Sequence, residues 1–267
     1  MSNIYEALQQ AQREKKRPLP TQPVREEQGR VEEQKPVTLQ KRRIPEIPMP
    51  EDYLADSVEL DAEKEMVSLY QSIVHSLADY PRKIIQFIGS VDGEGVSTIV
   101  REFAKLLATK LGKTVLILDA AHRRPTQHLF CEIAHEHGWK DVVEGSQPVD
   151  KGICYAGVPN LFLSPIAQDA TLPSHIYNLP VANRFLLELK QKFDFVLIDS
   201  SAATSSPDCL AITRSADGVV LVVAAEKTRW QVVESVKAKI EKNGGNIIGM
   251  VLNKRRYYIP KSFYRHL

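Results

Sequence analysis

The feature that most constrains this chain is a set of short, almost wholly apolar segments separated by segments of helical character. KIIQFIG, TVLILD and GVVLVVAA have no polar face, and strands of this kind occur in parallel sheets that are covered on both faces. The sequence therefore predicts an α/β fold, a three-layer parallel sheet with helices on both faces. The predicted strands are 83–89, 114–119, 160–164, 193–199, 218–225 and 246–253. The predicted helices are 61–77, 96–111, 181–192 and 229–242.

Composition divides the chain into three zones. Residues 1–16 are a predicted short helix, residues 17–50 a linker, and residues 51–267 the folded domain. The linker holds seven of the sixteen prolines, with Glu, Gln, Lys and Arg between them. Such a segment cannot bury enough apolar surface to offset the entropy lost on ordering, so we predict that it is disordered.

The first zone has the features of a tethered helical peptide. Asn3 and Glu6 have capping-box spacing, and Ile4 and Leu8 fall on one helical face. A helix this short is marginal by itself. It is either a docking element for a partner protein or a frayed tail, and we favour docking because a tail needs no apolar face.

Overall composition is that of a soluble globular protein, with 43% hydrophobic and 25% charged residues. The formal net charge of +2 points to no polyanionic partner. The longest purely apolar run, 219–225, is too short to span a bilayer, and the polar N-terminus lacks the apolar core of a signal peptide. We therefore expect a cytoplasmic protein whose membrane contacts are peripheral or made through a partner.

A glycine-rich loop, GSVDGEGVST, follows the first predicted strand at residues 89–98. Gly93 and Gly95 allow backbone angles that turn N–H groups inward, where they and the next helix N-terminus form a nest for phosphate oxygens. Ser97 or Thr98 would offer a hydroxyl to Mg²⁺. A standard P-loop has a lysine directly before that hydroxyl residue, but this chain has Val96. On this loop alone, a glycine-rich strand–helix turn explains the sequence equally well.

Two aspartates at strand ends decide between these alternatives. TVLILD ends in Asp119 and FDFVLID ends in Asp199. A carboxylate in such a place is poorly solvated and needs a strong partner, such as Mg²⁺ or a hydrogen-bonded water. Asp199 also matches a Walker B aspartate. Either residue could instead cap the next segment, but two of them beside the loop favour a nucleotide site.

Residues 83–254 resemble the bacterial tyrosine kinases of capsule and exopolysaccharide biosynthesis, relatives of the MinD/ParA ATPases in the P-loop superfamily. The family motif Gly-Glu-Gly-Lys-Ser-Thr corresponds to residues 93–98, and Asp-Ala-Asp-Leu-Arg-Arg-Pro to residues 119–125. The opening MSNIYEAL is similar to the start of several exopolysaccharide-operon kinases. The resemblance implies ATP or ADP with Mg²⁺. The nucleotide-binding residues that it implies are Gly93, Glu94, Gly95, Val96, Ser97, Thr98 and the adenine-contacting Asn253. The metal-binding residues that it implies are Ser97, Asp119 and Asp199.

The chain departs from the family at several positions. Val96 replaces the lysine of the loop, and Ala121 replaces the second aspartate of the middle motif. In the family, an oligomerisation helix carries Glu-x-x-Arg-x-x-Arg. Glu65, Ser68 and Gln71 stand at those positions here, so both arginines are absent. We therefore expect tyrosine autokinase activity to be weak or lost.

Binding is expected to tolerate these losses better than catalysis. Loss of one preorganised donor costs about 10²–10³ in rate, whereas backbone amides and Mg²⁺ can still hold a nucleotide. Asp119 and Asp199 would carry any remaining catalysis. Arg101, Arg123 or Arg124 could reach a phosphate in place of the lysine, although we expect Arg101 to be a solvated charge on its helix.

The segment 254–267 contains five Lys or Arg residues and no acid. Its candidate phosphorylation sites are Tyr257, Tyr258 and Tyr264, which stand where the family has a longer tyrosine run. The segment could also lie near anionic lipid headgroups, pack against a partner, or fold back on the domain. We weigh the last two alternatives equally and expect no nucleic-acid binding.

These observations predict a kinase-like P-loop protein of exopolysaccharide or capsule biosynthesis or export. The resemblance implies that it regulates the cytoplasmic part of a membrane co-polymerase or chain-length protein, at the inner face of the plasma membrane. A non-catalytic scaffold and a MinD/ParA-like ATPase switch stay open as alternative functions. The missing arginines argue against the family's ring assembly and leave a smaller homo-oligomer open.

Overall fold

The computed structural model describes residues 51–121, 125–131, 137–145, 147–166, 176 and 180–255. All of them belong to one folded unit. Outside the described residues lie the predicted helix 1–16, the predicted linker 17–50, and Arg123, Arg124, Tyr257, Tyr258 and Tyr264.

Seven strands and six α-helices are present within the described residues. The strands are β1 Lys83–Gly89, β2 Val115–Ala120, β3 Cys154–Tyr155, β4 Leu161–Ser164, β5 Phe195–Ser200, β6 Gly218–Ala224 and β7 Ile247–Asn253. The helices are α1 Glu51–Ser76, α2 Val96–Lys105, α3 Gln127–Phe130, α4 Trp139–Val143, α5 Pro180–Lys192 and α6 Trp230–Lys242. A π-helical turn, Leu106–Lys110, continues α2, and 3-10 helices span Val149–Gly152 and Pro207–Ser215.

The strands form one sheet in the order β3-β4-β2-β5-β1-β6-β7. The prediction of a parallel sheet is confirmed for β1, β2, β4, β5, β6 and β7. The edge strand β3 is a correction, since it was not predicted and pairs antiparallel with β4. Only residues 156–160 connect these two strands, and so short a connection returns the chain antiparallel to itself. Two residues are also too few to show a periodic pattern.

Helices cover both faces of the sheet, as predicted. On one face, Ile85 and Phe87 of β1 pack in a cluster with residues of α1 and α2. On the other face, Ile84 packs with α4 and α5, and Ile88 packs with α6. Burying such a side chain completely is worth roughly 1.5–3 kcal/mol. Alternate residues of one strand therefore stabilise both helical layers.

The predicted element boundaries agree with the structure to within about two residues, except at two helices. Helix α1 begins at Glu51, ten residues before the predicted start at 61. The predicted helix 96–111 is α-helical only to Lys105 and then widens into the π-helical turn. Among the described residues, no helix combines the length and the apolar composition needed to span a bilayer.

Candidate functional site

The carboxyl ends of β1, β2 and β5 bring the predicted functional residues to one edge of the sheet. The phosphate loop, defined here as residues 89–98, leads from the end of β1 into α2. Asp119 of β2 is the direct register partner of Asp199 of β5. Ligands of open α/β sheets bind at this edge, so the loop and both aspartates lie where one ligand could reach them.

Two glycines give the phosphate loop its shape. Gly93 has φ 82° and Gly95 has φ 92°, in the left-handed region that other residues avoid. At Gly95 a Cβ would also lie only 2.4 Å from Nδ2 of Asn253. The loop borders a cavity of about 330 Å³, whose lining consists of residues 91–98, Ala121, Thr126 and residues 200–202.

Glu94 supports the loop from behind. Its side chain is 1% exposed. The carboxylate accepts hydrogen bonds from the backbone N–H groups of Ser90, Val91 and Ala224 and from Oγ1 of Thr228. The carboxylate is therefore directed into the protein and is not available to a ligand.

Two of the positions that depart from the family pattern, 96 and 121, carry apolar side chains at the cavity. Val96 borders the cavity and packs against the core cluster under α2. Ala121 is 8% exposed and borders the same cavity. Its backbone N–H donates to Oδ1 of Asp119 at 3.1 Å. Neither side chain can contribute charge to a ligand.

Asp119 and Asp199 are a pair of completely buried carboxyl groups. Burial raises the pKa of Asp119 to about 7, assisted by the charge of Asp199 and opposed by N–H groups that include those of Ala121 and Gln127. Burial also raises the pKa of Asp199 to about 6, against hydrogen bonds from Gln127 and Ser97 that lower it. Without a cation, the pair is therefore not fully ionised near neutral pH.

Gln127 is a central residue of the site that the sequence analysis missed. Its buried Nε2 donates to Oδ2 of Asp199 at 2.8 Å and to the carbonyl oxygen of Ser97 at 3.0 Å. Its backbone N–H donates to Oδ2 of Asp119 at 3.3 Å. Gln127 thus connects the phosphate loop with both aspartates. The sequence offers one weak signal for this role. Gln127 is a polar residue eight positions after Asp119, in a segment that must cross the sheet edge.

The expectation that Arg101 is a solvated surface charge is wrong. The side chain is 9% exposed, and Nη2 lies 3.5 Å from Oγ1 of Thr98. Its positive charge lowers the pKa of Asp199. This turn of α2 faces the sheet edge rather than solvent, so Arg101 supports the aspartate pair from within the fold.

The residues present fit a Mg²⁺ ion. Oδ1 of Asp199 is buried and has no hydrogen-bond partner among the described residues, and such an orphaned oxygen is costly unless a ligand satisfies it. The Ser97 side chain lies near the same carboxylate and lowers the pKa of Asp199. The described residues contain no cluster of three or more His, Cys, Asp or Glu ligands. Mg²⁺ needs no such cluster, because phosphate oxygens and waters usually complete its coordination.

The end of β7 closes the loop on its other side. Asn253 donates from Nδ2 to the carbonyl oxygen of Glu94 at 2.8 Å, and its Oδ1 accepts the N–H of Lys254 at 2.8 Å. Lys254 donates from Nζ to the carbonyl oxygen of Gly93 at 2.6 Å. The adenine contact expected of Asn253 stays a prediction, since both polar atoms of its side chain bind protein groups here.

The chain is similar to known bacterial tyrosine kinases. It is 27% identical over 172 residues to tyrosine-protein kinase CpsD of Streptococcus agalactiae, which covers 64% of this chain and 75% of that protein. It is 24% identical over 212 residues to the putative tyrosine-protein kinase CapB of Staphylococcus aureus, covering 79% and 92%. No protein-family model matches the chain.

The homologues of this chain are bacterial tyrosine kinases of capsule biosynthesis. The family resemblance drawn from the motifs is thereby confirmed. Solved structures agree on the fold. The kinase domain of Escherichia coli tyrosine kinase ETK superposes with a TM-score of 0.70 at 22% identity, covering 84% of this chain and 88% of that one. MinD of Pyrococcus horikoshii, solved in complex with Mg-ADP, superposes with a TM-score of 0.57 at 22% identity, covering 69% and 76%. The predicted MinD/ParA-like P-loop fold is confirmed.

Helix α1 contains the other positions at which this chain departs from the family pattern. Glu65, Ser68 and Gln71 are all exposed on α1. Glu65 and Ser68 line a groove of about 760 Å³ between α1, α2 and β7. The positions where the family has arginines are therefore open to solvent and carry no positive charge.

Proposed function

We propose that this chain is a nucleotide-binding, kinase-like protein of capsule or exopolysaccharide biosynthesis or export, with weak or absent tyrosine autokinase activity. One observation carries the proposal. The loop glycines with positive φ and the buried aspartate pair are present, whereas the two positions at which the family resemblance implies charged side chains carry apolar ones, Val96 and Ala121.

The binding part of the proposal rests on groups that these replacements do not touch. Inward-turned N–H groups around Gly93 and Gly95, at the start of α2, would bind phosphate oxygens. The hydroxyl of Ser97 and Oδ1 of Asp199 would hold Mg²⁺, with Asp119 beside them. When bound, Mg²⁺ would neutralise phosphate charge and orient the phosphates. MinD, which shares the fold, was solved with Mg-ADP.

The catalytic part of the proposal rests on charge. Phosphoryl transfer depends mainly on positioning and on stabilising the charge that develops on the transferred group. At position 96 the side chain turns into the core, and at position 121 it ends at Cβ. Losing one preorganised donor, the loop lysine, lowers the rate by about 10²–10³. The absence of the family's carboxylate at position 121 lowers it further, so little transfer is left. Asp119 and Asp199 would support whatever activity remains.

The third part of the proposal concerns the partner protein. The family resemblance supports regulation of the cytoplasmic part of a membrane co-polymerase or chain-length protein. We place the chain in the cytoplasm, at the inner face of the plasma membrane through that partner. The tyrosines Tyr257, Tyr258 and Tyr264 remain candidate phosphorylation sites for this or another kinase.

Calorimetric titration of the full chain with ATP and ADP, with and without Mg²⁺, tests binding. A phosphotyrosine blot after incubation with Mg-ATP tests transfer. We expect saturable binding and no phosphotyrosine above a sample without ATP. Strong autophosphorylation would refute the loss of activity. Absence of binding would favour a scaffold, and binding with steady ATP hydrolysis but no phosphotyrosine would favour an ATPase switch.

A further inference from the structure

We propose that Lys254 is a relocated phosphate-binding lysine, whose ammonium group supplies the charge that Val96 cannot offer to the phosphates of a bound nucleotide. The inference rests on the proposed function, since it names a residue of the proposed nucleotide site. It concerns a lysine that lies 158 positions away in the sequence and on a different element of the fold.

The first observation is the contact itself. Nζ of Lys254 donates to the carbonyl oxygen of Gly93 at 2.6 Å, so the ammonium group lies against the middle of the phosphate loop. Gly93 and the residues on both sides of it line the phosphate cavity, whereas Lys254 lines the neighbouring groove between α1, α2 and β7. The side chain is exposed, and its flexible four-carbon stem lets the ammonium group turn from the carbonyl oxygen to an incoming anion.

The second observation is the backbone that holds Lys254 in place. Lys254 has φ 59°, an uncommon conformation for a residue other than glycine. Its N–H is bound by Oδ1 of Asn253, whose Nδ2 is in turn bound to the carbonyl oxygen of Glu94. These hydrogen bonds keep Lys254 in its uncommon backbone conformation. The fold itself therefore directs Lys254 toward the phosphate loop.

The third observation is that positive charge lies close to Gly93, while the carboxylates of the phosphate loop accept hydrogen bonds from protein groups. Nζ of Lys227 lies 3.9 Å from the position that a Cβ on Gly93 would take, so two ammonium groups flank the same glycine. The carboxylate of Glu94, the nearest buried acid of the loop, is bound by four protein donors. Asp92, the exposed acid of the loop, accepts a hydrogen bond from Oγ of Ser205 at 2.8 Å. The two ammonium groups therefore outnumber the exposed carboxylates of the phosphate loop.

Substitutions that change only this charge test the inference. In calorimetric titrations of the full chain with Mg-ATP, we expect Lys254→Met to weaken binding about 10–100-fold, the range of one to two charge-assisted contacts. Lys254→Arg should keep most of the affinity. Lys237→Met removes another exposed lysine, on α6, which pairs with Glu241, and should change the affinity less than twofold.

Adenosine separates a phosphate contact from a general loosening of the site. If Lys254 binds phosphates, the Met variant should bind adenosine as the wild-type chain does. Equal losses for Mg-ATP and adenosine would overturn the inference and make Lys254 a support of the loop. Unchanged Mg-ATP affinity in the variant would overturn it as well.

A double-mutant cycle gives the sharpest answer. Val96→Lys restores a lysine at the family position. If both lysines serve the same phosphates, Lys254→Met should cost less than about threefold in that background, against 10–100-fold in the wild type. Equal costs in both backgrounds would overturn the inference. Wild-type chain that binds no nucleotide would overturn the proposed function together with it, whereas wild-type binding with an insensitive Lys254 would overturn this inference alone.

Discussion

Glu94 offers the most direct test of how the phosphate loop is held. The perturbation is Glu94→Gln, which keeps the size of the side chain and removes its charge. In the structure, Oε2 accepts from Ser90 and Val91, and Oε1 accepts from Ala224 and Thr228. An amide nitrogen at the Oε2 position would face two N–H groups, so the glutamine should place it at the Oε1 position.

The magnitude follows from that arrangement. At the Oε1 position the hydroxyl of Thr228 can rotate to accept, but the N–H of Ala224 loses its acceptor and stays buried. An unsatisfied buried donor costs about 1–3 kcal/mol, and the remaining bonds lose the strength that a charged acceptor adds. We expect the free energy of unfolding to fall by about 2–3 kcal/mol, which lowers Tm by roughly 5–10 °C for a domain of this size.

The assay is equilibrium denaturation of the full chain, followed by circular dichroism. Asp92→Asn is the matched control, because it makes the same chemical change in the same loop at an exposed acid. It should shift the free energy of unfolding by less than about 0.5 kcal/mol. Thr228→Val removes one of the four donors to the Glu94 carboxylate. Its loss of unfolding free energy should lie between the losses caused by Asp92→Asn and by Glu94→Gln. A Glu94→Gln chain as stable as the Asp92→Asn control would refute the conclusion that the Glu94 carboxylate stabilises the phosphate loop.

Three further predictions concern the cavity. Gln127→Leu should abolish Mg²⁺-dependent nucleotide binding and lower the free energy of unfolding by about 2–4 kcal/mol, since it removes the hydrogen bond to Oδ2 of the buried Asp199. Gln86→Leu, which removes a buried glutamine bound to neutral groups, should leave the metal dependence intact. The free energy of unfolding of the ligand-free chain should fall as pH rises from about 4 to 7, measured by denaturation at each pH, and Asp119→Asn should flatten that slope. Val96→Lys combined with Ala121→Asp should raise autophosphorylation at least tenfold on a phosphotyrosine blot, since it restores both missing charges.

The sign of the pH effect follows from the raised pKa. The folded chain holds a proton on Asp119 up to a pKa of about 7, whereas the ordinary value is 3.8. Between these values the folded state binds more protons than the unfolded state, so stability falls as pH rises. A slope that is unchanged in Asp119→Asn would show that other groups cause it. Wild-type metal dependence in Gln127→Leu, or a silent Val96→Lys/Ala121→Asp chain, would contradict the other two predictions.

Much of the site could be predicted because its parts are local in sequence. The loop lies between a strand and a helix, and each aspartate ends an apolar strand. A parallel sheet then necessarily brings such strand ends to one edge. The direct register partnership of Asp119 and Asp199 follows from the strand order, and that order is a property of the whole sheet.

The sequence analysis missed contacts that reach the phosphate loop from distant segments. Gln127 and Lys254 reach the loop through hydrogen bonds that span 30 and 161 positions, and no periodicity marks either residue. Arg101 was misjudged for a related reason. The side of α2 that meets the sheet edge depends on how the helix packs, and the sequence of the helix alone does not specify that packing.

We propose that this site holds a nucleotide and does not transfer its phosphate. The decisive measurement is to incubate the purified full chain with Mg²⁺ and ATP labelled on the γ-phosphate, collect the protein on a filter, and denature it. We expect label to be retained with the native chain and to be released as intact ATP on denaturation. No retained label would contradict the nucleotide site, and label that stays covalently on the denatured chain would contradict the loss of transfer.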